Sequence, residues 1–465
     1  MKIRKLTFII CCTLIVSLKA SNDKRYDAIH SGTPWFDQNN REVNAHGACI
    51  VKEGNKYYLF GEYKSDTANV FTGFSCYSST DLMNWKFERT VLPVQNNGLM
   101  GPNRIGERVK VMKCPTTGEF VMYMHSDNLQ YNDPNITYAT CKTINGVYQF
   151  KGALLFAGKP IHKWDMGTFQ DTNGKGYLLI HHGFIYELST DYKSVKRLVI
   201  SQKQGGEAPA MFKSKGVYYW LSSNLSSWEK NDNMYLTATS LEGPWTFRGL
   251  FAPQGSLTWN SQTTFVLPVI NKKDTVLMFM GDRWSFPCQG SAATYVWQPV
   301  KIDTSKIFLP SYLENWTIDV SKAKFQKTKT DVKSIFGNLA IKQGNWQKEN
   351  HQLKSNEKDA GLIFHFNGSK VGIKARTNNK GGYARITILN SKQKTVLTSV
   401  VDFYSKNETL SQVFISPILK RGDYTLKIQV LGVHPAWTDK SKTVYGSTDN
   451  FVVLEDVYIN SEKNQ

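Results

Sequence analysis

The chain has 465 residues, of which 41% are hydrophobic, 20% charged and 13% aromatic, and its formal net charge is +19. This composition excludes disordered, collagen-like, coiled-coil and multi-span membrane proteins, and the length allows about two to four domains. The basic residues are scattered, with no zinc-ligand spacing and no P-loop, so they indicate a solvated basic surface and not a nucleic-acid-binding protein.

Residues 1–20 are typical of a secretory signal peptide. A basic start precedes the apolar run TFIICCTLIVSL, which is too short to span a bilayer, and Ala20 is a suitable cleavage point. Cys11 and Cys12 raise the alternative of a lipid anchor, but Ile10 is larger than the residue that a bacterial lipobox requires. We therefore expect an exported protein, periplasmic or extracellular, without a membrane span.

The cysteines beyond this segment do not indicate a disulfide framework. There are five of them, Cys49, Cys76, Cys114, Cys141 and Cys288. An odd number spread this widely allows one or two bridges, but the sequence does not specify a pairing.

A repeat along the chain predicts the fold of residues 21–308. Five short apolar and aromatic runs, such as NKYYLFGEY and VYYWLSSN, recur just after turns, and other strand-like segments flank each run. The turns that precede the runs lie at Gly54, Gly118, Gly174, Gly216 and Asp274. Because one sheet cannot bury both of its faces alone, this pattern predicts an all-β, five-bladed β-propeller.

Residues 309–465 have a different pattern. They contain no cysteine and more lysine, and alternating strands such as YARITILN and TLKIQVLG are separated by turns. The sequence predicts a second all-β domain, a β-sandwich. Its aromatic residues Trp346, Tyr383, Trp437 and Tyr445 are candidates for ligand contact, although core packing explains them equally well.

Polar residues occupy a matching register in the first strand of each unit. They are His46, Glu107 with Arg108, Asp165, Glu207 and Gln262, and Glu62 lies near the end of a second strand. Each residue alone has an ordinary structural explanation, such as a surface pair or a turn cap. Because the innermost strands of a propeller converge on its axis, their shared register predicts one site.

Carboxylates in an aromatic cleft are typical of glycoside hydrolysis. One protonated carboxyl donates to the leaving oxygen, and a second group activates water on the opposite face of the sugar. The predicted loops also carry aromatic residues of the kind that stack on sugar rings, although single aromatics more often pack in a core. These are Trp164, Trp228, Trp259, Trp284 and Tyr131.

Over residues 28–303 the motifs HGACIV, FGEYK, GERVKVM, KWDMGTFQD, GGEAPAMFK, SQTTFV and GDRW together resemble glycoside hydrolase family 43. Within that inverting family they resemble the exo-β-1,3-galactanase (galactan 1,3-β-galactosidase) branch. The resemblance implies that Glu207 is the general acid and that Asp165 tunes and orients it. It also implies that Glu62, Glu107 and Tyr131 hold the sugar, and that Ser226 falls where the branch often has a hydroxyl. With Trp259 these complete the substrate-binding candidates.

One departure concerns the general base. The broader family has an aspartate on the first inner strand, whereas NAHGACIV contains no acid, and the branch shares this lack. Gln262, in the motif SQTT, occupies the place that lies opposite the acid in the branch. A neutral amide is a poor base, so the catalytic role of Gln262 stays open. We expect no cofactor, because no ligand spacing supports a structural Ca²⁺ or other metal near His46.

The resemblance implies an exo-acting β-galactosidase on β-1,3-galactan such as an arabinogalactan backbone. From the signal peptide we expect it to be secreted, and we expect a monomer. It also likens the C-terminal domain to the galactose-binding-like jelly-roll modules that accompany such enzymes. Two alternatives are an arabinofuranosidase or β-xylosidase of the same family, and a non-catalytic sugar-binding propeller. The missing acid on the first strand disfavours the former, and the presence of Glu207 with Asp165 disfavours the latter.

Overall fold

The computed structural model describes residues 24–202, 204–328 and 331–460, so the predicted signal peptide lies outside the described residues. Strands dominate throughout, and the prediction of an all-β chain is confirmed. The helical elements described are one left-handed turn, Leu257–Asn260, whose residues have φ values between 52° and 58°, and two 3-10 turns, Gly98–Met100 and Phe336–Asn338. Within these ranges no helix combines the length and the apolar character that a bilayer crossing requires.

Five sheets follow one another along the chain, each built on four antiparallel strands in sequence order. Sheet 1 consists of His46–Glu53, Lys56–Glu62, Phe74–Ser79 and Lys86–Leu92. Sheet 2 consists of Arg104–Lys113, Phe120–Asn128, Asn135–Cys141 and Gln149–Ala153. Sheet 3 consists of Met166–Gln170, Gly176–Ile180, Phe184–Leu188 and Val195–Ser201, with the short strands Leu155–Phe156 and Lys159–Pro160 at its outer edge.

The remaining two sheets have the same construction. Sheet 4 consists of Glu207–Ser214, Val217–Ser223, Met234–Ala238 and Thr246–Leu250. Sheet 5 consists of Gln262–Ile270, Thr275–Arg283, Thr294–Asp303 and Lys306–Phe308. The predicted turns between first and second strands are present, and Gly54 and Gly216 adopt left-handed φ values of 59° and 81°, which favour glycine.

These five sheets form a closed ring. The first strands of neighbouring sheets lie side by side, and that of sheet 5 lies against that of sheet 1. Each pair of neighbours shares its own hydrophobic core. Because both faces are covered, inner strands such as Gly176–Ile180 are buried along their whole length, whereas the outermost Thr246–Leu250 is mostly exposed. This burial explains why the sequence shows continuous apolar runs instead of alternation.

A small sheet joins the two ends of this ring to the rest of the chain. It pairs Ile29–His30 with Asn315–Asp319, which in turn pairs with Lys324–Lys327. Trp316 is fully buried in the core shared by sheets 1 and 5. The last strand of sheet 5 ends at Phe308, and Trp316, Ile318 and Phe325 still pack with the ring. The domain boundary at residue 308 stays a prediction.

Two further sheets share one core in the C-terminal part. One contains Gln347–Glu349, Gln352–Ser355, Val452–Asn460, Val371–Thr377 and Thr409–Ile415, with Val332–Ser334 also paired to Val452–Asn460. The other contains Leu339–Gln343, Gly361–Gly368, Gly422–Val430, Tyr383–Asn390 and Thr395–Asp402. A separate hairpin consists of Ala436–Thr438 and Val444–Gly446. Tyr26 and Phe36, from the start of the described chain, are buried in this C-terminal core.

Candidate active site

The predicted polar residues lie at the same end of the five innermost strands. His46, Glu207 and Gln262 begin their strands, Glu107 lies within Arg104–Lys113, and Asp165 directly precedes Met166–Gln170. In sheets 1, 2, 4 and 5 the pairing register shifts at or just after the polar residue. Bulges of this kind re-aim side chains beside active sites, and here they let the consecutive residues Glu107 and Arg108 both reach the site.

Backbone conformation repeats in the same positions. Gly47, Arg108 and Ala208 have φ values of 58°, 57° and 56°, and each follows a predicted site residue. For Arg108 and Ala208 this left-handed conformation costs on the order of 1 kcal/mol or more. The repeat therefore extends beyond sequence spacing to a shared local geometry at the mouth of the ring.

Glu207 has the environment of a proton donor. Burial and the nearby carboxylate of Asp165 raise the pKa of Glu207 to about 8, although the charge of Arg108 opposes the rise. The amide Nε2 of Gln262 donates to Glu207 Oε1 at 2.8 Å. Near neutral pH this carboxyl is therefore mostly protonated, as general acid catalysis requires.

Asp165 is fixed on both of its oxygens. Arg108 Nε lies 2.8 Å from Asp165 Oδ1, and the backbone N–H of Ala208 donates to Asp165 Oδ2 at 2.5 Å. Because Ala208 follows Glu207 directly, Asp165 ties its own sheet to the strand that carries the acid. It thus both raises the pKa of the acid and holds its backbone.

Gln262 lies against the acid and not across from it. Its Nε2 also donates to Ser223 Oγ at 3.0 Å, while its Oε1 accepts from Arg108 at 2.5 Å and from the indole of Trp284 at 2.8 Å. Arginine and tryptophan only donate, so the atom they face is the amide oxygen. An inverting enzyme separates its acid and base by about 6.5–9.5 Å. The contact with Glu207 therefore differs from the expectation that Gln262 stands opposite the acid, and its catalytic role stays a prediction.

Glu62 and Lys64 form a buried ion pair beside the backbone of Arg108. Lys64 Nζ lies 2.5 Å from Glu62 Oε2, and the backbone N–H of Arg108 donates to Glu62 Oε1 at 2.8 Å. Burial raises the pKa of Glu62, and the ammonium of Lys64 opposes the rise. Lys64 also donates to Asn69 Oδ1 at 2.6 Å, which links this pair to the next cluster.

Glu107 accepts hydrogen bonds from one predicted site residue, Tyr131, and from one residue that the sequence did not indicate, Asn69. Tyr131 donates its hydroxyl to Glu107 Oε1 at 2.8 Å, and Asn69 Nδ2 donates to the same oxygen at 2.6 Å. His125 Nδ1 lies 3.3 Å from Glu107 Oε2. Burial opposes ionisation, but His125 and the charge of Lys64 hold the pKa of Glu107 well below its usual range.

His125 is the positive partner of that carboxylate. Burial opposes its protonation, but its interactions with Asp127 and Glu107 raise the pKa of His125 to about 9. The imidazole is therefore charged at neutral pH. Glu107 and His125 form a fixed ion pair that presents hydrogen-bond acceptors to a polar ligand.

Aromatic side chains form one wall of the site. Trp284 and Trp228 meet edge to face at 5.2 Å between ring centroids, and Trp228 stacks on Phe286 at 5.7 Å. Lys64 Nζ lies 5.3 Å from the Trp228 ring centroid and 5.6 Å from that of Trp284. These rings screen the buried ammonium from water and strengthen the charge interactions around it.

Two substrate-binding candidates have mainly local contacts. Ser226 Oγ donates to the carbonyl of Glu229 at 2.6 Å, and it shapes the loop that carries Trp228. The indole N–H of Trp259 donates to the carbonyl of Leu309 at 3.3 Å, and its ring lies 5.9 Å from Tyr312. Trp259 thus packs on the segment after sheet 5, and its predicted role in sugar binding stays a prediction.

The first sheet contributes no carboxylate from its inner strand. His46 is 1% exposed and stacks on Tyr295 at 4.8 Å between centroids. Its Nδ1 lies 3.6 Å from Oδ1 of the buried Asp282. Asp282 pairs directly across sheet 5 with Gln262, and both His46 and Asp282 are buried. Among residues 24–202, 204–328 and 331–460, no three His, Cys, Asp or Glu side chains are placed to hold a metal ion.

Sequence reasoning missed several residues of the network. Glu62, His125, Ser223 and Asp282 each pair directly across the sheet with an inner-strand site residue. Of these only Glu62 was predicted, although the register of the second strands indicates the other three. Lys64 and Asn69 follow the second strand of sheet 1, where no repeat marks them.

Comparisons with known proteins identify the family of the chain. A family model described as "Glycosyl hydrolases family 43" matches residues 42–249. The solved structure of a protein assigned as an exo-beta-1,3-galactanase from Bifidobacterium bifidum s17 is 34% identical, with a TM-score of 0.57, and the match covers 60% of this chain and 95% of that one.

Two more distant relatives extend the comparison. An exo-beta-1,3-galactanase from Phanerochaete chrysosporium, solved with galactose, is 24% identical with a TM-score of 0.69, covering 93% of this chain and 100% of that one. At that identity the likeness concerns the fold. A beta-D-galactofuranosidase from Aspergillus niger is 24% identical over 251 residues, which are 50% of this chain and 68% of the other. The chain belongs to glycoside hydrolase family 43, and it is a glycoside hydrolase.

Proposed function

We propose that this chain is a secreted, exo-acting, inverting β-galactosidase that hydrolyses β-1,3-galactan, with arabinogalactan backbones as its natural substrate. The five sheets of the ring are then the blades of a five-bladed β-propeller, and the two C-terminal sheets are a β-sandwich. The likeness to a galactanase over 93% of the chain supports both parts of this architecture.

The single observation that carries the proposal is the position of Glu207, which is buried near Asp165 and hydrogen-bonded to Gln262, so that its pKa is raised. Glu207 donates its proton to the departing glycosidic oxygen while water attacks the anomeric carbon from the other side. Asp165 keeps the acid protonated until the bond breaks. Glu107, with Tyr131 and Asn69, binds hydroxyl groups of the terminal sugar through acceptors that are fixed before the substrate arrives.

Gln262 then acts first as a positioning group. Its amide N–H occupies Oε1 of Glu207, which leaves Oε2 to carry and deliver the proton. Arg108 and Trp284 hold its oxygen, so the amide cannot rotate without losing two hydrogen bonds. A change in these contacts on substrate binding is required before Gln262 can reach the attacking water.

A panel of substrates tests the proposal. We expect release of galactose from β-1,3-galactan by the wild-type enzyme and not by Glu207→Gln. Aryl β-galactofuranoside, α-arabinofuranoside and β-xyloside test the activities of relatives and of the rest of the family. Faster turnover of any of these than of β-1,3-galactobiose would overturn the substrate assignment, and binding of galactan without turnover would indicate a non-catalytic propeller.

The stereochemistry is a second test. The carboxylates of the cluster other than Glu207 have cationic or backbone partners, and none is free to attack as a nucleophile. NMR of the first-formed product of a β-linked substrate should show α-galactose. Initial β-galactose would contradict the inverting mechanism.

A further inference from the structure

The hairpin of residues 436–446, in the C-terminal part, reaches the rim of the active site. Its strands pair Trp437 with Tyr445, whose rings stack at 5.6 Å between centroids. In its turn Asp439 accepts the backbone N–H groups of Lys442 and Thr443, at 3.1 and 2.9 Å. The turn is therefore held by its own hydrogen bonds.

The hairpin touches loops from three sheets of the ring. Lys440 Nζ donates to the carbonyl of Tyr131 at 2.8 Å and lies 5.4 Å from its ring centroid. The indole of Trp437 donates to Ser227 Oγ at 3.2 Å, and its ring meets Phe286 edge to face at 6.4 Å. These loops follow the second strands of sheets 2, 4 and 5, and Tyr131 also binds Glu107.

The positions of these contacts show which side of the site the hairpin covers. In the ring, sheets 2 and 4 are separated by sheet 3 on one side and by sheets 1 and 5 on the other. The hairpin meets sheet 5 through Phe286, and Phe286 stacks on Trp228, which covers Lys64 of sheet 1. The covered side is therefore that of sheets 5 and 1.

The opposite side, at sheet 3, has an exposed apolar margin. Trp164 is 39% exposed, and Leu129 and Leu225, in the loops of sheets 2 and 4, are 43% and 59% exposed. Among the contacts described, none joins the hairpin to these three residues. An exposed tryptophan beside a sugar site offers a face on which sugar rings pack.

We propose that the hairpin 436–446 closes the site on the side of sheets 5 and 1 and so makes the enzyme act on chain ends. The terminal sugar of a β-1,3-galactan stops against this wall, and the rest of the chain leaves over sheet 3. The hairpin is thus a specificity-determining part of the site supplied by the C-terminal part of the chain. This inference rests on the proposed function.

The test compares free and blocked chain ends. Its substrates are β-1,3-galactotriose and the same trisaccharide with a methyl group on O3 of its non-reducing terminal sugar. The wild-type enzyme should hydrolyse the capped form at less than about one hundredth of the free rate. Replacing residues 437–445 by two glycines should raise the capped-to-free ratio at least about tenfold. An unchanged ratio in a folded variant would overturn the proposal.

A point variant covers the case in which the shortened hairpin does not fold. Lys440→Ala removes the bond to Tyr131 and should raise KM for the free trisaccharide about two- to fivefold. Lys442→Ala, in the same turn but without a described contact to the ring, is the matched control and should leave KM unchanged. Equal effects of the two changes would overturn the proposal.

A wrong substrate assignment can be distinguished from a wrong role of the hairpin. If the wild-type enzyme does not hydrolyse the free trisaccharide, the galactan assignment is wrong. The same variants are then compared on capped and free chains of the glycoside that the wild-type enzyme does hydrolyse. A ratio that rises only in the hairpin variants supports the wall, and an unchanged ratio overturns it.

Discussion

The surroundings of Glu107 and Glu207 show how one fold gives two glutamates opposite properties. Both lie on inner strands, both precede a residue with positive φ, and both sit at a bulge. Glu107 faces a charged imidazole, an ammonium, an amide N–H and a phenol, and its pKa is lowered. Glu207 is buried and lies near a second carboxylate, and both raise its pKa to about 8. The partners, and not the register, decide which carboxyl donates a proton.

The largest expected effect comes from removing the proton donor. Glu207→Gln should lower kcat on β-1,3-galactobiose about 10²–10⁴-fold with little change in KM, because general acid catalysis is lost while shape is kept. An aryl galactoside with a highly activated leaving group should be affected less, since its departure needs less protonation. Steady-state kinetics on both substrates measure the difference.

Glu53→Gln is a suitable control for this change. Glu53 forms an ion pair with Lys113 at 2.5 Å, and it ends the first strand of sheet 1, at the opposite end from His46 and away from the site. We expect its kinetics to match the wild-type enzyme. More than half of the wild-type kcat in Glu207→Gln would remove Glu207 from the acid role.

The second prediction concerns Asp165, whose negative charge raises the pKa of Glu207. Wild-type kcat/KM should fall as pH rises through about 8, because Glu207 then loses its proton. Asp165→Asn removes the like charge and leaves Arg108 to stabilise the ionised acid, so the fall should move to lower pH. We expect kcat at pH 7 to drop roughly ten- to a hundredfold. A high-pH limb that stays in place would mean that burial alone raises the pKa.

The sequence predicts the strands and turns well because their causes are local. Glycines such as Gly54 and Gly216 mark the hairpins, and the apolar runs between them are long enough to be covered on both faces. The small sheet that pairs Ile29–His30 with Asn315–Asp319 was not predicted. Its strands are short and far apart in sequence, and only closure of the ring brings them together.

The site is predicted in part for the same reason. Inner-strand residues such as Asp165 share a register that the sequence shows. Lys64 and Asn69 come from a loop, so their contacts with Glu62 and Glu107 depend on the closed ring. The direct bond between Gln262 and Glu207 depends on how Arg108 and Trp284 pack, and spacing along the chain does not encode it.

The third prediction concerns Glu107, the glutamate whose pKa is lowered. Glu107→Gln keeps the shape of the side chain but removes the charge that Tyr131, Asn69 and His125 bind. If Glu107 holds the terminal sugar, KM should rise about tenfold, while kcat falls less, because a charged hydrogen bond contributes about 1.5–3 kcal/mol. A loss confined to kcat would instead place Glu107 in the chemical step.

The smallest and most diagnostic effect concerns Gln262. In Gln262→Glu the new carboxylate keeps the bonds from Arg108 and Trp284, and its second oxygen replaces the N–H that faces Glu207. A like charge at that distance raises the pKa of Glu207 further, so the high-pH fall of kcat/KM should move up from about 8 by about one unit. The pH profile on β-1,3-galactobiose measures the shift.

Gln262→Ala should move the same limb in the same direction but by less. The amide N–H donates to Glu207 and favours its ionised form, so its removal raises the pKa of Glu207 without adding a charge. A larger shift in Gln262→Glu than in Gln262→Ala would show that residue 262 acts on the acid. If Gln262→Glu instead gains a new low-pH limb and keeps a kcat at or above that of the wild-type enzyme, the carboxylate is acting on the attacking water. In that case the contact with Glu207 must open when the substrate binds.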